Sequence, residues 1–191
     1  MRFRSTLIIS MLIGLLAGTA AFTADEKKEV NFAAKEPVLL TSAGQSADIQ
    51  MVKVLLERNK VTLKSIPLAE PGDLEGSKTR VIAVGGSSKG LGAAGIDADK
   101  ELTRVQKVVN KAKQAGIPVL AMHIGGMSKR GELSDRFISL VIPASAFLIA
   151  VKEGDEDGFL TKMAAKGKVS TLFVDKISQL QEPLKTIFGK K

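Results

Sequence analysis

The feature that most constrains the fold of this chain is its alternation of short apolar runs with segments of helical periodicity. Most of the runs are apolar throughout, which is typical of strands whose two faces are both covered. Two longer segments, residues 47–59 and 97–115, repeat apolar side chains at the spacing of one helix face. The pattern therefore predicts a parallel sheet with helices on both sides. The apolar runs lie at residues 37–42, 61–67, 79–84, 117–123, 147–151 and 170–174.

We expect one domain from these elements, because 191 residues is the length of a single large α/β unit. The predicted fold class is α/β, with a three-layer, doubly wound, mostly parallel sheet of the flavodoxin-like or Rossmann-like kind. The domain would span residues 36–191, after a polar linker at residues 25–35. Ser46 and Asp97 are expected to be helix N-caps, and Gly116 is expected to end the second helix. Shorter helices are predicted near residues 134–143, 157–166 and 178–188.

The N-terminus has the three-part pattern of a secretory signal peptide. Arg2 and Arg4 form a basic start, and an apolar run follows at Leu7–Leu16. Small residues then occupy Ala17–Ala21, as a cleavage site requires. The apolar run is shorter than the roughly 20 residues of a membrane span, so cleavage is favoured over a permanent anchor. We therefore predict that residues 1–24 are removed, that the protein is exported to the periplasm or the medium, and that it keeps no stable membrane insertion.

The composition argues against some partners and leaves others open. The chain has no cysteine, so the fold must rest on its core without disulfides. Its net charge of +8, to which Arg2 and Arg4 contribute, favours anionic ligands in a general way. The lysines are scattered, and the chain has no Tyr or Trp on which bases could stack. Nucleic acid is therefore not an expected partner.

Three loops of unusual composition follow three of the predicted strands. They are Ser42–Ser46, the glycine-rich stretch Gly85–Gly92 (GGSSKGLG), and His123–Asp135. In open parallel sheets, ligands bind at the carboxyl ends of the strands, where the strand order reverses. If the order is the flavodoxin-like 2-1-3-4-5, the three loops are neighbours at that edge. The sequence therefore predicts a site there for a small anionic or polar ligand.

The loops would supply different contacts to this predicted site. Glycine leaves backbone N–H groups free to approach an anion, and a helix N-terminus adds positive potential. Lys89 and Arg130 would bind charge, and His123 would contact or protonate the bound group. The alternative is that the glycines only permit tight turns and close packing. The predicted ligand-binding residues are Ser42, Gly44, Gln45, Ser46, Gly85, Gly86, Ser87, Ser88, Lys89, Gly90, His123, Gly125, Gly126, Arg130, Ser134 and Asp135.

Two phosphate-binding motifs match the glycine-rich stretch only in part. Gly90–Gly95 has the G-x-G-x-x-G spacing, but five residues separate it from the preceding strand and no acidic residue ends the next strand. Gly85–Gly90 has the outer spacing of a P-loop, yet Leu91 and Gly92 stand where Lys and Ser or Thr are required. The sequence therefore predicts no nucleotide and no other cofactor.

The same stretch matches the G-x-S-x-G motif of serine hydrolases at Gly86–Gly90. Ser88 would be the nucleophile, and His123, the only histidine in the chain, would be the base. His123 precedes the available acids Asp135 and Asp155, which breaks the residue order of that fold. The glycine-rich residues after the motif are also a poor start for the helix that the motif requires.

Two alternatives to simple ligand binding therefore stay open. One is a hydrolase or lyase that uses the same crevice, with Ser88, His123 and Lys89 as candidate catalytic residues. The other is a protein-interaction module whose loops bind another exported protein. A metal site is not predicted, because the chain has one His and no Cys. The acidic triplet Asp155–Asp157 is typical of a solvated turn rather than of a calcium site.

The loop motifs together resemble the signatures of a known family. They are VLLTSAGQSAD at residues 38–48, GGSSKGLGAAGID at 85–97, HIGG at 123–126, and the pairs at 130–131 and 134–135. They resemble an exported bacterial family catalogued as domain of unknown function 6305, over roughly residues 35–188. The resemblance implies an exported single domain whose distinctive residues lie in the three loops. It implies no established activity and no catalytic residue.

Overall fold

A six-stranded sheet forms the middle layer of the molecule. The computed structural model describes residues 30–190, and the predicted signal peptide lies outside them. The strands are hydrogen-bonded in the order β2-β1-β3-β4-β5-β6, and every neighbouring pair is parallel. The predicted α/β fold class is therefore confirmed, including the flavodoxin-like order of its first five strands. The strands are β1 (Val38–Ala43), β2 (Leu63–Ser65), β3 (Thr79–Val84), β4 (Val119–His123), β5 (Phe147–Val151) and β6 (Ser170–Val174).

Helices cover both faces of this sheet. They are α1 (Asp48–Arg58), α2 (Ser88–Ala93), α3 (Ala98–Gln114), α4 (Glu132–Val141), α5 (Phe159–Gly167) and α6 (Gln181–Ile187). Buried side chains of α1 and α6 form one core with Leu40 of β1 and Met122 of β4. Those of α3, α4 and α5 form a second core with Ile82 of β3 and Leu148 of β5. The interior strands are thus buried on both faces, as their apolar sequences predict.

Most boundaries agree with the sequence pattern, and the differences are local. β3, β5 and β6 have the predicted bounds, whereas β2, at one edge of the sheet, is only three residues long. Asp97 is the N-cap of α3 as predicted, and its Oδ1 accepts from Lys100 N at 2.7 Å. The N-cap position of α1 is Ala47 rather than Ser46. The Ser46 hydroxyl still accepts a hydrogen bond from Asp48 N at 3.3 Å.

The main correction to the predicted secondary structure lies in the glycine-rich stretch. The sequence predicts an irregular loop and a poor helix start there, but Ser88–Ala93 form the short helix α2. Ser87 is its N-cap, and the Ser87 hydroxyl accepts a hydrogen bond from Gly90 N at 3.0 Å. A side-chain cap stabilises a helix by about 1 kcal/mol, which offsets the low helix propensity of one glycine.

Residues of the predicted 25–35 linker that the structure describes pack on the domain. The Phe32 ring stacks on Phe147 of β5, with the ring centroids 5.3 Å apart. Ala34 N donates a hydrogen bond to the carbonyl of Ile187, the last residue of α6, at 2.8 Å. These contacts fasten the start of the described chain to β5 and α6. Between residues 30 and 190, no helix has the length and apolarity that crossing a membrane would require.

Candidate functional site

The three loops singled out in the sequence meet at one edge of the sheet, which we call the carboxyl edge. They emerge side by side because β1, β3 and β4 are neighbours and parallel. A backbone hydrogen bond of 2.8 Å from Ser87 N to Gly44 O joins the first two loops. The Ser134 hydroxyl joins the third loop to the second by accepting from Gly86 N at 2.9 Å. The prediction that these loops are spatial neighbours is therefore confirmed.

Contacts within the chain explain several glycines at this edge. A Cβ on Gly90 would overlap the carbonyl oxygen of Gln45, and one on Gly86 would lie 2.9 Å from Ser134 N. Protein interiors are too closely packed to absorb such overlaps without a shift of the backbone. Gly92, by contrast, has open space where a Cβ would be. The alternative interpretation, close packing of the loops on one another, thus accounts for Gly86 and Gly90 without a bound anion.

Glu101 and Arg104 of α3, which we call the inner clamp, hold the first loop. Their side chains are only 0% and 7% exposed. Arg104 Nε donates to Glu101 Oε2 at 2.7 Å, and its terminal nitrogens donate to the carbonyls of Ala69 and Ser42, each at 2.6 Å. Buried charges are tolerated when they are paired and hydrogen-bonded, and here each nitrogen of Arg104 has an acceptor.

The same carboxylate fixes the conformation of the first loop. Glu101 Oε1 accepts from Gly44 N at 3.0 Å and from Gln45 Nε2 at 2.8 Å. Gln45 has a φ of 57°, a left-handed conformation that is costly for a residue other than glycine. The Gln45 amide also donates to Pro67 O at 3.2 Å. Gln45 was predicted as a ligand contact, but its amide N–H groups donate to Glu101 and Pro67 and hold the loop in place.

Sequence reasoning missed the inner clamp although a signal for it was present. Glu101 and Arg104 are three residues apart, so they neighbour one another on a helix. They also share the face that buries Val105 and Val108. Charged side chains are almost never fully buried unless they are paired. An acid and a base at this spacing on an apolar helix face therefore indicate a buried pair.

Arg130, Asp135 and Asp157 form a second group, the outer clamp, which joins the third loop to the loop after β5. Arg130 Nε donates to Asp135 Oδ1 at 2.7 Å, and Nη2 donates to Asp157 Oδ2 at 3.0 Å. Nη1 donates to Gly154 O at 2.6 Å, and the guanidinium lies 4.7 Å from the centroid of the Phe159 ring. The hydrogen bond to Asp135 is the main cause that raises the pKa of Arg130.

The outer clamp changes the interpretation of Arg130. Two further contacts, to Asp157 Oδ1 at 3.1 Å and to Asp135 Oδ2 at 3.3 Å, use its remaining N–H groups. All five donors are thus satisfied inside the protein. Gripping an anion, the role predicted from the sequence, would require some of these bonds to break. Arg130 instead organises the edge, together with Asp157, which the sequence interpretation placed in a solvated turn.

Buried polar atoms without a hydrogen-bond partner mark the centre of the carboxyl edge. Among residues 30–190, such side-chain atoms belong to four residues. Three of these atoms are at this edge: Ser42 Oγ, Asp48 Oδ2 and His123 Nε2. The fourth residue, Arg80, is at the other end of β3. Because most buried polar atoms in proteins are hydrogen-bonded, a cluster of exceptions indicates a place where function competes with stability.

His123 ends β4 and is completely buried. Its Nδ1 lies 3.0 Å from Val84 O, and a carbonyl oxygen can only accept, so the neutral ring carries its proton on Nδ1. Nε2 is therefore a lone-pair acceptor. Burial lowers the pKa of His123 below its ordinary value of 6.5, although the carbonyls of Val84 and Gly126 act in the opposite direction. The imidazole is thus kept neutral near pH 7.

Asp48, the first residue of α1, brings a carboxylate to the same place. A Cβ on Gly125 would lie 2.7 Å from Asp48 Oδ2, and one on Gly85 would lie 3.8 Å from it. The carboxylate therefore sits between the turns that follow β3 and β4. The Lys129 side chain also packs on Gly125. From the sequence, Asp48 was assigned only to the first turn of a helix, because nothing there indicates which neighbour it faces.

The other predicted site residues differ in their exposure to solvent. Ser88 and Lys89 are exposed on the first turn of α2, and neither side chain has a hydrogen bond or ion pair with another described residue. Ser46 is buried beside the start of α1. Within residues 30–190, no group of three or more His, Cys, Asp or Glu side chains is placed to hold a metal ion.

The fold and this edge define a single-domain, doubly wound α/β protein. Among residues 30–190, three of the four residues with unpartnered buried side-chain atoms lie at its carboxyl edge. The chain belongs to the family described as domain of unknown function (DUF6305), whose model matches residues 35–188. The resemblance found in the loop motifs is thereby confirmed. Export from a bacterial cell stays a prediction.

Solved structures give more distant likenesses. The chain is similar to AlinE4, an esterase of the SGNH-hydrolase family, with 9% identity over 80% of each chain and a TM-score of 0.32. It is also similar to the psychrotrophic esterase EstA from Pseudoalteromonas sp., with 10% identity over 73% of this chain and 78% of that one, and a TM-score of 0.32. No curated protein matches the chain. Likenesses this weak assign no function.

Proposed function

We propose that this protein binds a small polar ligand at the carboxyl edge of its sheet, and that Asp48 and His123 accept hydrogen bonds from it. The observation that carries the proposal is the pair of buried, unpartnered acceptor atoms at the carboxyl edge, Asp48 Oδ2 at the start of α1 and His123 Nε2 at the end of β4. Leaving such atoms unsatisfied costs about 1–3 kcal/mol each, and a ligand with hydroxyl or ammonium donors would recover that energy. The topology supports the location, because ligands of doubly wound sheets bind at this edge.

The unpartnered atoms favour a hydrogen-bond donor over an anion. An ionised carboxylate and a neutral imidazole nitrogen both accept, and neither attracts negative charge. The donors of Arg130 are used in the outer clamp. Lys89 is the remaining predicted cation, and it is exposed on α2. An anionic ligand would therefore depend on Lys89, whereas a polyol or a small amine would use the two buried acceptors.

Access to these acceptors would require the segment Gly125–Lys129 to move. Gly125 of this segment lies against Asp48 Oδ2. Two of its hydrogen bonds are internal, Ser128 Oγ to Gly125 O at 3.0 Å and Lys129 N to Gly126 O at 3.1 Å, and Met127 O accepts from the adjacent Arg130 N at 3.0 Å. Segments with exposed residues and local hydrogen bonds are among the first parts of a protein to open. Displacement of this segment is part of the proposal.

The test is a titration of the full chain with erythritol, glucose, ethanolamine and putrescine, followed by calorimetry and thermal unfolding. We expect one of these probes to bind saturably. Losing one hydrogen bond to a charged or buried group costs roughly 1.5–3 kcal/mol, so Asp48→Asn or His123→Gln should weaken binding by about 10- to 100-fold. Glu57→Gln is the matched control, because Glu57 is exposed at the far end of α1. This variant should bind the probe with the affinity of the wild type.

Two further measurements distinguish an anionic ligand, and a protein partner, from a small hydrogen-bond donor. Inorganic phosphate and acetate test the anionic version, which predicts binding that is lost in Lys89→Met and unaffected by His123→Gln. If every probe that binds does so equally well in Asp48→Asn and His123→Gln, the acceptor pair is not the site. If no probe binds and a protein partner is recovered in stoichiometric amount, the proposal for a small ligand is wrong.

A hydrolase is the second candidate, and one observation favours it. The turn Gly85–Ser87 leads directly from β3 into α2, which is the strand–turn–helix context that the G-x-S-x-G motif requires. His123 also offers a neutral Nε2 that could act as a base. Against it, Ser88 does not have the strained left-handed conformation expected of the nucleophile. Labelling of Ser88 by a fluorophosphonate, absent in Ser88→Ala, would establish this candidate; an unlabelled protein would remove it.

Export is a separate part of the proposal and rests on residues 1–24, which lie outside the described residues. When the full chain is expressed in a bacterium, we expect it to be recovered outside the cytoplasm with a new N-terminus near Ala21 or Ala24. N-terminal sequencing of the fractionated protein decides the point. An intact Met1 in the cytoplasmic fraction would contradict it.

A further inference from the structure

A cleft of about 370 Å³ lies where α1 and α6 end, far from the carboxyl edge. It is at the amino edge of the sheet, because α1 ends just before the chain enters β2. Among the described residues that line it, none is apolar and none is acidic, so it attracts negative charge. We call it the basic cleft, and its lining residues are Arg58, Asn59, Lys60, Lys185 and Lys190.

Two of the four cations in the basic cleft have no counter-ion. Lys185 donates to the carboxylate three residues before it at 2.8 Å, and Lys190 pairs with Glu36. The side chains of Arg58 and Lys60 are exposed, and neither has a hydrogen bond or an ion pair with another residue of the described chain. Four cations are therefore offset by two acids, and the cleft keeps an excess of two positive charges.

The ends of the two helices do not need these cations as caps. Basic side chains near a helix C-terminus often bond to its last carbonyls. Here backbone N–H groups do so, because Lys60 N donates to Glu57 O at 2.8 Å after α1 and Gly189 N donates to Thr186 O at 3.2 Å after α6. The helix dipoles favour positive charge at both ends, but the charged groups of Arg58 and Lys60 are left for a ligand.

Asn59 adds a fixed neutral donor to the cleft. Its side chain is buried, and Nδ2 donates to Leu55 O at 2.9 Å. Its Oδ1 accepts from Gln181 Nε2 at 3.0 Å, which sets the orientation of the amide. An amide nitrogen carries two N–H groups, so the second N–H of Asn59 is not used by these bonds.

Lys60 stands at a backbone position that glycine usually occupies. Its φ is 55°, and the corresponding residue after α6, Gly189, has a φ of 59°. The left-handed conformation is strained for a residue with a Cβ. A charge in the basic cleft is what Lys60 supplies and a glycine would not. Lys168 has the same φ at the end of α5 but does not line the cleft, so the two lysines form a matched pair for a test.

We propose that the basic cleft binds a phosphate-bearing anion with at least two negative charges. An arginine binds two phosphate oxygens through parallel hydrogen bonds, and a lysine binds phosphate as a point charge. Arg58 and Lys60 supply these contacts, and the unused N–H of Asn59 donates to a further oxygen. A cleft lined by no apolar residue selects its ligand by charge rather than by a hydrocarbon tail. The phosphate is either a free ion or part of a lipid headgroup.

The test is a calorimetric titration of the full chain with sodium pyrophosphate, phosphate and acetate, at equal ionic strength and pH 7. We expect saturable binding that is strongest for pyrophosphate, weaker for phosphate and undetectable for acetate, which carries a single charge. Exposed charges are screened by salt, so the affinity for pyrophosphate should fall as sodium chloride is added. Sodium chloride alone should give no saturable heat.

Variants connect this binding to the basic cleft. Arg58→Met removes a charge-assisted contact and should weaken pyrophosphate binding about 10-fold or more, whereas Lys53→Met, on the same helix outside the cleft, should leave it unchanged. Lys60→Gly should weaken binding several-fold and raise the unfolding temperature by about 2–4 °C, because glycine relieves the left-handed backbone. Lys168→Gly should give the same rise with unchanged affinity. This pair separates charge in the cleft from the stability of the fold.

Vesicles identify the source of the phosphate. Phosphatidylglycerol vesicles present anionic lipid phosphates, and phosphatidylcholine vesicles, whose headgroup has no net charge, are the control. If the ligand is a lipid headgroup, the full chain should prefer phosphatidylglycerol, pyrophosphate should compete with it, and Lys60→Gly should reduce the preference. If the ligand is a free phosphate, pyrophosphate should bind as described without affecting the binding of either vesicle.

The proposal is wrong if pyrophosphate affects the wild type no more than sodium chloride does and no vesicle preference depends on Lys60. It is also wrong if Lys60→Gly and Lys168→Gly weaken binding equally, since general surface charge would then account for it. Loss of pyrophosphate binding in Lys89→Met would place the anion at the carboxyl edge instead. Asp48→Asn and His123→Gln, which test the carboxyl edge, are expected to leave pyrophosphate binding intact.

Discussion

The inner clamp and the outer clamp hold the same edge of the sheet with the same chemistry, an arginine bound to carboxylates, but in different surroundings. Glu101 and Arg104 are both nearly inaccessible to solvent, and every atom of the pair is used. In the outer clamp Arg130 is buried, whereas the Asp157 side chain is 50% exposed. When one partner is removed, the exposed carboxylate can recover water and the buried arginine cannot. Burial, rather than the number of hydrogen bonds, should therefore set the cost of breaking each clamp.

The largest effect is expected from Glu101→Ala. This change leaves Arg104 buried without its counter-ion, and it removes the acceptor that fixes Gly44 and Gln45. Breaking a buried pair in this way costs about 3–5 kcal/mol of unfolding free energy. Urea denaturation of the full chain measures it. Lys107→Ala, on the exposed side of the same helix, should change stability by no more than about 0.5 kcal/mol.

A double variant sharpens this prediction. Glu101→Leu with Arg104→Met replaces the pair by apolar side chains of similar size, and such replacements are often neutral or stabilising. Part of the loss should remain, because Gly44 N and the Ser42 carbonyl also lose their partners. The double variant should therefore lie between the wild type and Glu101→Ala. If Glu101→Ala loses less than about 1 kcal/mol of unfolding free energy, the buried Arg104 is not left uncompensated, and the prediction for the inner clamp is wrong.

A pair of glycine substitutions in α2 tests the packing between the clamps. Gly90→Ala puts a Cβ against the carbonyl oxygen of Gln45, whereas Gly92→Ala has open space. Both gain the same helix propensity, up to about 1 kcal/mol, so their difference isolates the contact. Overpacking typically costs about 1–3 kcal/mol, and we expect Gly90→Ala to be destabilised and Gly92→Ala to be stabilised. Thermal unfolding of the two variants is sufficient. Equal stabilities would mean that the loops separate easily.

The fold could be predicted because its signal is carried by local patterns. Apolar runs and helix faces report burial directly, and Asp97 identifies a helix start by its own side-chain chemistry. The strand order could only be assumed, by analogy with flavodoxin-like sheets, because no pattern within a strand says which neighbour it pairs with. The bounds of β3, β5 and β6 followed from their apolar runs, while β2, at the edge, forms fewer ladder contacts than its seven-residue run suggests.

The meeting of the three loops at one edge could be predicted from the sequence, but the contacts that their residues make there could be predicted only in part. Glycine content indicates that something approaches the backbone, but it cannot say whether that is a ligand or the next loop. For Gly86 and Gly90 it is the next loop. The roles of Arg130 and Asp48 depend on which distant segments lie against them, and a sequence does not state such neighbours. Arg80 was hidden for a different reason, since one charged residue in an apolar run does not disturb the strand pattern.

Arg130→Met, which breaks the outer clamp, should cost less than Glu101→Ala, roughly 1–2 kcal/mol at pH 7, because its carboxylates can be hydrated again. The hydrogen bond from Arg130 is the main cause that lowers the pKa of Asp157 below its ordinary value of 3.8. A lowered carboxyl pKa stabilises the folded state above that ordinary value, and the contribution is lost as pH falls through the lowered pKa. Stability curves of wild type and variant, measured from pH 7 to pH 2, should therefore converge at the acid end. Parallel curves would exclude the coupling to Asp157.

The smallest expected effect is a change in the pH dependence of stability caused by His123→Gln. Burial lowers the pKa of His123, so below pH 6.5 the unfolded chain binds a proton that the folded chain does not. Stability of the wild type should therefore fall as pH drops from about 7 toward the lowered pKa. The glutamine amide can still donate to Val84 O, and it does not titrate, so the variant should show a flatter curve in that range.

The single histidine makes this last measurement direct. His123 is the only imidazole in the chain, so one set of ring resonances reports its titration by NMR without assignment of others. We expect a midpoint below 6.5, and we expect a ligand that donates a hydrogen bond to Nε2 to lower it further, since such a bond requires the unprotonated nitrogen. A midpoint at or above 6.5 would mean that solvent reaches the ring. Water would then reach the edge between the two clamps, so burial would no longer distinguish them as strongly. Nε2 could also bond to water and would no longer be an unsatisfied acceptor.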